Sequence, residues 1–405
     1  MIKTYLSIYF SLVTTFSFSQ DVWIQRDSVN GPPRGSCASF TLKGEGFVVG
    51  GIDVEEFKRK SYSYDLDQDD WDDELALGGE SGSGLERASA IAFSAEGFAY
   101  VGLGGGSAVP YYKDLWKFDD ETDTWTQMAD FPGSPRLGAI AFAIGHVGYV
   151  GAGQDVDGLT KDFYGYNSTL NEWYEISEFQ GVERKEAVGF SMGSRGYVGT
   201  GKSSTIYLKD FWEYRPDMDE WKRLADLPGI PRMGAVGLGA FPSGFVALGE
   251  DASYNYRKDV WEYHYYGDIW TQRADFPGGG RTQASGFVVD NRIFMGLGYN
   301  GVYHDDFYEY DKNLSINGVE LDQHLSIYPN PIEFQFIIES SQFLGSLNIS
   351  FYSIEGKDVT SHFQLNQINT NKFQCNLKSN LPSGTYIVRI TTENNQSFIK
   401  RINIK

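Results

Sequence analysis

The sequence predicts an all-β chain of six propeller blades followed by a small immunoglobulin-like β-sandwich, on three observations. Tryptophans stand at 23, 71, 125, 173, 221 and 270, at spacings of 48 to 54 residues. Arginines stand at 34, 87, 136, 184, 232 and 281, and five of them lie eleven residues after a tryptophan. After Asp311 this repeat stops and the text changes. Between each arginine and the next tryptophan, alternating apolar residues bounded by turn signals make four short strands, and a unit of about 48 residues with four strands is a propeller blade.

The chain opens with Lys3, an apolar run from Tyr5 to Phe16 and the small residues Ser17 and Ser19, which predicts a signal peptide over 1–19 with cleavage before Gln20. The apolar run is shorter than the roughly 20 residues a membrane span needs, so no integral membrane segment is expected once the signal is removed. The propeller is expected over 20–312. Its repeat runs from small residues such as Ala139-Ile140-Ala141-Phe142, through Gly148-Tyr149-Val150-Gly151-Ala152-Gly153, to Lys209-Asp210-Phe211-Trp212-Glu213-Tyr214 and its counterparts. Arg87 stands sixteen residues after Trp71, and the Gly/Ser stretch 78–84 absorbs the difference as a loop. Small inner-strand residues suit crowding at an axis. The six tryptophans, Trp23, Trp71, Trp125, Trp173, Trp221 and Trp270, are read as structural, filling the gaps between outer strands. Trp23 lacks preceding inner strands and the last unit lacks a tryptophan, so Trp23 to Asp27 should pair with Phe307 to Asp311 and close the ring without exposed edges.

The paired glycine after an apolar strand, the tyrosine and the tryptophan at fixed spacing resemble kelch repeats, over roughly residues 22 to 312. Gly-Gly survives only at Gly50-Gly51 and within Gly104-Gly105-Gly106, and the other units use Gly-x-Gly, with Ala247 replacing the first glycine in the fifth. Either spacing lets the chain approach closely where blades converge.

A linker is expected over 313–324 and a second domain over 325–405. Its segments Ser326-Ile327-Tyr328-Pro329-Asn330-Pro331, Ile349-Ser350-Phe351-Tyr352-Ser353-Ile354-Glu355-Gly356-Lys357 and Leu381-Pro382-Ser383-Gly384-Thr385-Tyr386, with basic Lys400-Arg401 and Lys405 at the end, resemble the C-terminal sorting domain of the type IX secretion system of Bacteroidota. That resemblance implies a protein that is secreted or held on the outer cell surface, with the outer-membrane secretion machinery as partner. The alternative is an extra adhesive sandwich.

A formal charge of −20 repels phosphate backbones and argues against nucleic acid as a partner. Cys37 and Cys375 fall in different predicted domains, so no disulfide is expected, and Cys37 reads as a buried inert thiol. The acidic run Asp65 to Glu74 lacks the glycine of a calcium-binding hand loop and reads as a solvated turn. Galactose-oxidase-like kelch enzymes hold copper through tyrosine and histidine. Here His146 and His264 fall at far-face turns and only His304 shares the arginine face, so no metal or cofactor is expected.

In a four-stranded meander the arginines, which begin first strands, and the Lys-Asp pairs, which begin third strands, open on one face. Two readings of Arg34, Arg87, Arg136, Arg184, Arg232 and Arg281 stay open. Each could bridge to the aspartate of its own blade, Asp114, Asp162, Asp210, Asp259 or Asp306, across about 9.6 Å. They could instead form a ring of guanidinium groups accepting a carboxylate, sulfate or acidic sugar. The first unit has Lys60 where the others have aspartate, which makes Arg34 the best candidate for an unspent arginine. Just after each second strand stand Asp53, Gly105, Gln154, Lys202, Glu250 and Tyr299, an asymmetric set suited to one ligand. The ligand-binding candidates are therefore the six arginines with Gln154, Lys202, Glu250 and Tyr299, and the expected function is binding of a glycan or peptide. The alternative is a sugar-modifying enzyme of the sialic-acid mutarotase-like kelch type, with Glu250 as acid/base and Arg232 or Arg281 holding the substrate acid. No nucleophile elbow or phosphate loop is visible, and the loops are of nearly uniform length.

Overall fold

A computed structural model describes residues 22–79, 85–265, 267–311, 325–329, 331–332, 334–340, 347–353, 359–369, 372–378, 381–392 and 397–405. The signal segment 1–19, the linker 313–324 and most of the Gly/Ser stretch lie outside the described residues.

The described residues up to 311 form six four-stranded antiparallel sheets. Sheets one to five take their strands consecutively, within 38–74, 91–127, 140–175, 188–223 and 236–273. Sheet six takes three strands from 285–311 and its fourth from Val22–Arg26, with Trp23 opposite Tyr310 and Arg26 opposite Phe307. First strands of consecutive sheets touch, and the first strand of sheet six touches that of sheet one, so the array closes on itself. This is a propeller-like all-β arrangement. Pairing Val22–Arg26 with Phe307–Asp311 completes sheet six to the four strands of the others, and Val22–Arg26 becomes its outer edge, so the expected abolition of exposed edges is not what closure achieves.

Sequence chemistry sets the packing between sheets. First strands carry alternating small residues such as Ala90, Ala92, Ala139 and Ala141, which line an axial cavity. Second strands carry Gly46, Gly148, Gly196 and Gly244 where a phenylalanine of the preceding sheet arrives; a Cβ there would stand only 2.0–2.5 Å from the rings of Phe287, Phe93, Phe142 and Phe190. Outer strands are spaced wider, and the six repeat tryptophans occupy them. Trp23, Trp71 and Trp221 are buried and Trp125, Trp173 and Trp270 half-buried. Each indole N–H donates to a backbone carbonyl of the preceding sheet at 2.9–3.1 Å, Trp23 closing the circle on Ala274. A buried indole N–H needs such an acceptor.

The acidic run is partly structural. Asp69 accepts from the Tyr64 hydroxyl at 2.6 Å and the Asp27 N–H at 3.2 Å, and its carboxylate meets Arg26 at 3.3 Å. Asn171, Asp219 and Asp268 repeat the tyrosine contact in sheets three to five.

Beyond residue 325 the described residues form a four-stranded and a three-stranded antiparallel sheet sharing one core, built on Phe336, Phe351, Phe363, Val388, Ile390 and Ile402. Cys375 lies in that core and Cys37 on the axial cavity, both as free thiols, and burial pushes them up to about 12 and about 11.

Candidate functional site

The arginine-bearing end is assembled from six copies of one joint. The backbone of each repeat arginine is clamped by the preceding sheet: Arg87 donates to Lys58 O at 2.9 Å and accepts from Gly51 N at 2.8 Å. Sheet one closes the series, with Arg34 bound to His304 O at 3.1 Å and Gly298 N at 2.8 Å. The side chain then turns into its own sheet. Arg184 donates to Thr200 O at 2.9 Å and to both oxygens of Asp210 at 2.7 Å, while its guanidinium lies 4.9 Å from the Phe179 ring. Arg87, Arg136, Arg232 and Arg281 bind Asp114, Asp162, Asp259 and Asp306 in the same way.

All six arginines are 0–1 % exposed. The guanidinium ring at a channel mouth is therefore not the arrangement found, because bidentate carboxylates draw five of these side chains inward. Arg34 has, among the described residues, no carboxylate within ion-pair distance, yet it too is buried. It donates to Pro32 O at 3.0 Å, to the Tyr62 hydroxyl at 3.3 Å and to Gly50 O at 3.4 Å, and it lies over the Tyr62 ring at 5.0 Å. Lys60 turns away to Asp73 at 3.1 Å. Arg34 is an unspent charge without an open approach.

What the face presents lies just above these joints. The residue after each arginine bridges to the residue after the second-strand glycine: Gly35 to Ile52, Ala88 to Gly105, Leu137 to Gln154, Lys185 to Lys202, Met233 to Glu250 and Thr282 to Tyr299. The latter pair onward with Phe57, Leu159, Tyr207, Tyr256 and Tyr303 in sheets one, three, four, five and six. In sheet two the bond from Tyr112 N to Gly104 O puts Tyr111 in the same register. Five of these six outer positions are aromatic.

Asp53 is one residue out of this series, and Ile52 holds its place. The Gly-Gly doublet hides the shift, because it offers two glycines from which to count. Asp53 instead matches Asp155, Ser203 and Asp251, whose side chains cap their own loops. Asp53 accepts from Glu55 N and Glu56 N at 2.9 Å, Asp155 from Asp157 N at 2.8 Å, Ser203 from Ile206 N at 3.1 Å and Asp251 from Ser253 N at 2.9 Å. Burial opposes ionisation of Asp53, but the Lys58 ammonium and the two loop N–H groups outweigh it and hold the carboxyl below its ordinary value.

Gln154, Glu250 and Tyr299 make contacts across sheet boundaries, and Lys202 packs within its own sheet. Lys185 Nζ donates to Gln154 Oε1 at 2.6 Å, and the Tyr207 hydroxyl donates to Glu250 Oε1 at 3.3 Å. Lys202 lies over the Tyr207 ring at 5.0 Å, and Tyr299 stands 4.9 Å from Tyr303 and 6.2 Å from Tyr256. Burial raises the Glu250 carboxyl against the Tyr207 hydrogen bond, and burial with the nearby Glu250 charge takes Tyr207 up to about 12.

At the centre is a feature that sequence reasoning missed. Two residues after each arginine stand Ser36, Ser89, Gly138, Glu186, Gly234 and Gln283. Each donates its backbone N–H to the carbonyl of the one before, Ser36 to Gln283, at 2.8–3.0 Å, in a closed ring of six hydrogen bonds. All six have φ between 51° and 61°, the left-handed region that glycine adopts freely and other residues rarely. The Glu186 side chain lies over Gly138, with Oε1 3.0 Å from where a Cβ would stand, and accepts from Ser89 Oγ at 2.9 Å. It covers part of a mouth of about 110 Å³, below which the axial cavity continues with about 180 Å³ between the alanines. Burial raises the Glu186 carboxyl. The signal was an acidic residue two places after Arg184 where the other units have Ser, Gly or Gln.

Among the described residues no group of three or more His, Cys, Asp or Glu side chains is placed to hold a metal ion. His304 Nε2 is 2.8 Å from Asn300 Oδ1, and burial lowers the imidazole. The mouth therefore offers hydrogen-bonding groups, the carboxyls of Glu186 and Glu250, the ammonium groups of Lys185 and Lys202, and aromatic surface. No helix among the described residues is long and apolar enough to cross a membrane.

Residues 326–405 match the secretion system C-terminal sorting domain. No curated protein matches the chain. The sorting domain makes this a protein that is secreted or attached to the outer cell surface and that engages the secretion machinery.

Proposed function

We propose that this is an exported binding protein. Its six sheets form a six-bladed kelch-type propeller over 20–312, joined by the linker 313–324 to an immunoglobulin-like sorting domain over 325–405. The ligand is a glycan or a peptide, held at the arginine-bearing face by the residues above the joints. One observation carries this reading. Positions that build the array repeat from sheet to sheet, whereas Gln154, Lys202, Glu250 and Tyr299, in one register around the mouth, are each different. A repeated scaffold supporting a varied, half-buried set of polar and aromatic groups suits recognition of one asymmetric ligand. The arginines support the face from below.

The test is to screen the full mature chain on a glycan array and a peptide array. Binding should weaken when Glu250→Gln and Tyr299→Ala are combined, with the melting temperature unchanged. Binding insensitive to both substitutions would move the site elsewhere.

A second reading, the sialic-acid mutarotase-like sugar-modifying enzyme, has one observation in its favour: the Glu250 carboxyl is raised and held beside Tyr207. Its expected partners Arg232 and Arg281 are committed to Asp259 and Asp306, which leaves Lys202 to hold a substrate acid. A mutarotation assay on acidic sugars, with Glu250→Gln as control, separates the two readings.

A further inference from the structure

Every loop between a second and a third strand carries one large apolar residue in solvent. Val54, Val109, Val156, Ile206, Tyr254 and Val302 are 40–83 % exposed, one in each of the six sheets and all at the arginine-bearing end. Single exposed apolar residues are ordinary; one in the same loop of every repeat, three to five residues after the second-strand glycine, is not. At the opposite end Phe241, Leu170, Met218 and Ile269 are exposed, among the described residues in sheets three to five alone, so the pattern of one per sheet belongs to the arginine-bearing end. The loops are also held in shape. A backbone bond closes each one: Asp53 N to Glu56 O, Gly106 N to Val109 O, Asp155 N to Gly158 O, Ser203 N to Ile206 O, Asp251 N to Asn255 O and Asn300 N to Val302 O, at 2.8–3.2 Å. Asp53, Asp155, Ser203 and Asp251 add the side-chain caps. Apolar groups on ordered loops lose little entropy when a partner covers them.

We infer that these six tips form an apolar crown that docks a protein segment, an exposed loop or terminus in which aliphatic residues flank a lysine or arginine. This rests on the reading that the arginine-bearing face binds a ligand, and it chooses between that reading's two ligand classes. Five of the six tips are aliphatic. At the tips, aliphatic side chains pack against other aliphatic side chains and lack the flat π-face on which a sugar ring stacks; the rings of Phe57, Tyr111, Tyr207, Tyr256 and Tyr303 stand half-buried inside them. Inside the crown Lys185 is held by Gln154 and Lys202 by the Tyr207 ring, while Glu186 accepts from Ser89 and Glu250 from Tyr207 at the mouth. The exposed carboxylates Glu55 and Asp157 stand beside the tips Val54 and Val156, where a basic side chain meets complementary charge, and the net charge of −20 steers basic partners towards the chain.

The test pans a disulfide-constrained random peptide library on the full mature chain and measures the affinity of enriched peptides by fluorescence anisotropy. Enriched loops should carry aliphatic residues beside Lys or Arg. The combined variant Val54→Asp, Val156→Asp, Ile206→Asp and Val302→Asp should weaken them by about tenfold or more, as loss of buried apolar anchors does, and Phe241→Asp at the far end should not. Glu55→Gln combined with Asp157→Asn should weaken peptides with the basic residue more than versions with it replaced by norleucine. Circular dichroism and melting temperature confirm that the exposed substitutions leave the fold intact. Enriched peptides indifferent to the crown variant would overturn the inference. So would binding on the glycan array alone, sensitive to Glu250→Gln, which leaves the binding function standing. Binding in neither screen overturns both.

Discussion

Sheets one and four bind their repeat arginine's backbone to the preceding sheet in the same way and give its side chain different company. Arg184 and Arg34 each donate an N–H to, and accept one from, the preceding sheet. Arg184 then closes a bidentate pair with Asp210, whose Oδ2 also accepts from the Trp212 indole at 2.8 Å. Arg34 has Tyr62 in place of that tryptophan, and it substitutes a phenol oxygen and a π-face for the carboxylate. Both guanidinium groups are equally buried. The difference separates two jobs. Joining neighbouring sheets belongs to the backbone bonds, which all six sheets keep. Neutralising a buried charge belongs to the aspartate, which sheet one has exchanged for a weaker arrangement that leaves part of the desolvation cost standing.

The sharpest way to break this comparison is to make sheet four resemble sheet one. Asp210→Ala leaves Arg184 buried without its carboxylate and without the tyrosine that serves Arg34, and should cost about 3–5 kcal/mol. All nine tryptophans precede residue 271, so urea unfolding followed by tryptophan fluorescence reports on the six-sheet array alone. The converse is smaller. Lys60→Asp restores a carboxylate at the position the other sheets use and should stabilise the array by about 1–3 kcal/mol, the range of hydrogen bonds to charged groups. It gives up the exposed Lys60–Asp73 contact, a surface pair of little worth, and the Lys60 ammonium's place over the Tyr62 ring at 5.7 Å. A lower urea midpoint in the Lys60→Asp variant would mean that Arg34 is already satisfied.

Features that repeat were legible before any coordinates, and features that depend on what a side chain reaches were not. The pairing of the Trp23 strand with Phe307 to Asp311, the inward tryptophans and the shared face of Arg184 and Asp210 follow from spacing, because a strand's period and a meander's reversals carry position directly, whereas the register, with Val22 and not Trp23 opposite Asp311, does not. Arg34 stood out because Lys60 breaks a column of aspartates. Burial of the arginines was not legible, since charged residues normally stay exposed and only the pairing geometry reverses that. Glu186 was missed for a related reason. Nothing local marks residue 186 as left-handed, because its conformation is imposed by the ring of bonds running from Gly138 to Glu186 to Gly234. The loop caps at Asp155 and Ser203 were legible in principle, as an Asx or Ser residue opening a short loop, but the glycine doublet in the first unit displaced the count.

Acid should sharpen the contrast by a smaller amount. Burial works to raise the carboxyls of Asp210 and Asp259, and the bound arginines outweigh it, leaving both below the ordinary value. A carboxyl that is more acidic in the folded chain than in the unfolded one adds stability above its unfolded value of about 4, and that contribution drains away as the pH falls further. Asp210→Ala should therefore flatten the loss of stability below about pH 4. Lys60→Asp should steepen it. Equal slopes in the parent and both variants would show that these pairs do not titrate with folding.

The smallest effect is expected where intuition about a buried arginine would place a large one. Arg34→Met removes the charge, keeps most of the apolar volume and leaves no buried carboxylate behind, because among the described residues none lies within ion-pair distance of it. What is lost is one good hydrogen bond to Pro32 O, two long ones and the contact with Tyr62. What is gained is the desolvation that the charge no longer suffers, and exchanging a buried ionic group for an apolar one of similar volume is often neutral. The net change should fall within about 1 kcal/mol of the parent. The same substitution at Arg184 strands Asp210 and should resemble Asp210→Ala in size. If Arg34→Met instead unfolds the array as readily as Arg184→Met, the guanidinium itself, and not its ion pair, is what locks each first strand to the second strand of its own sheet.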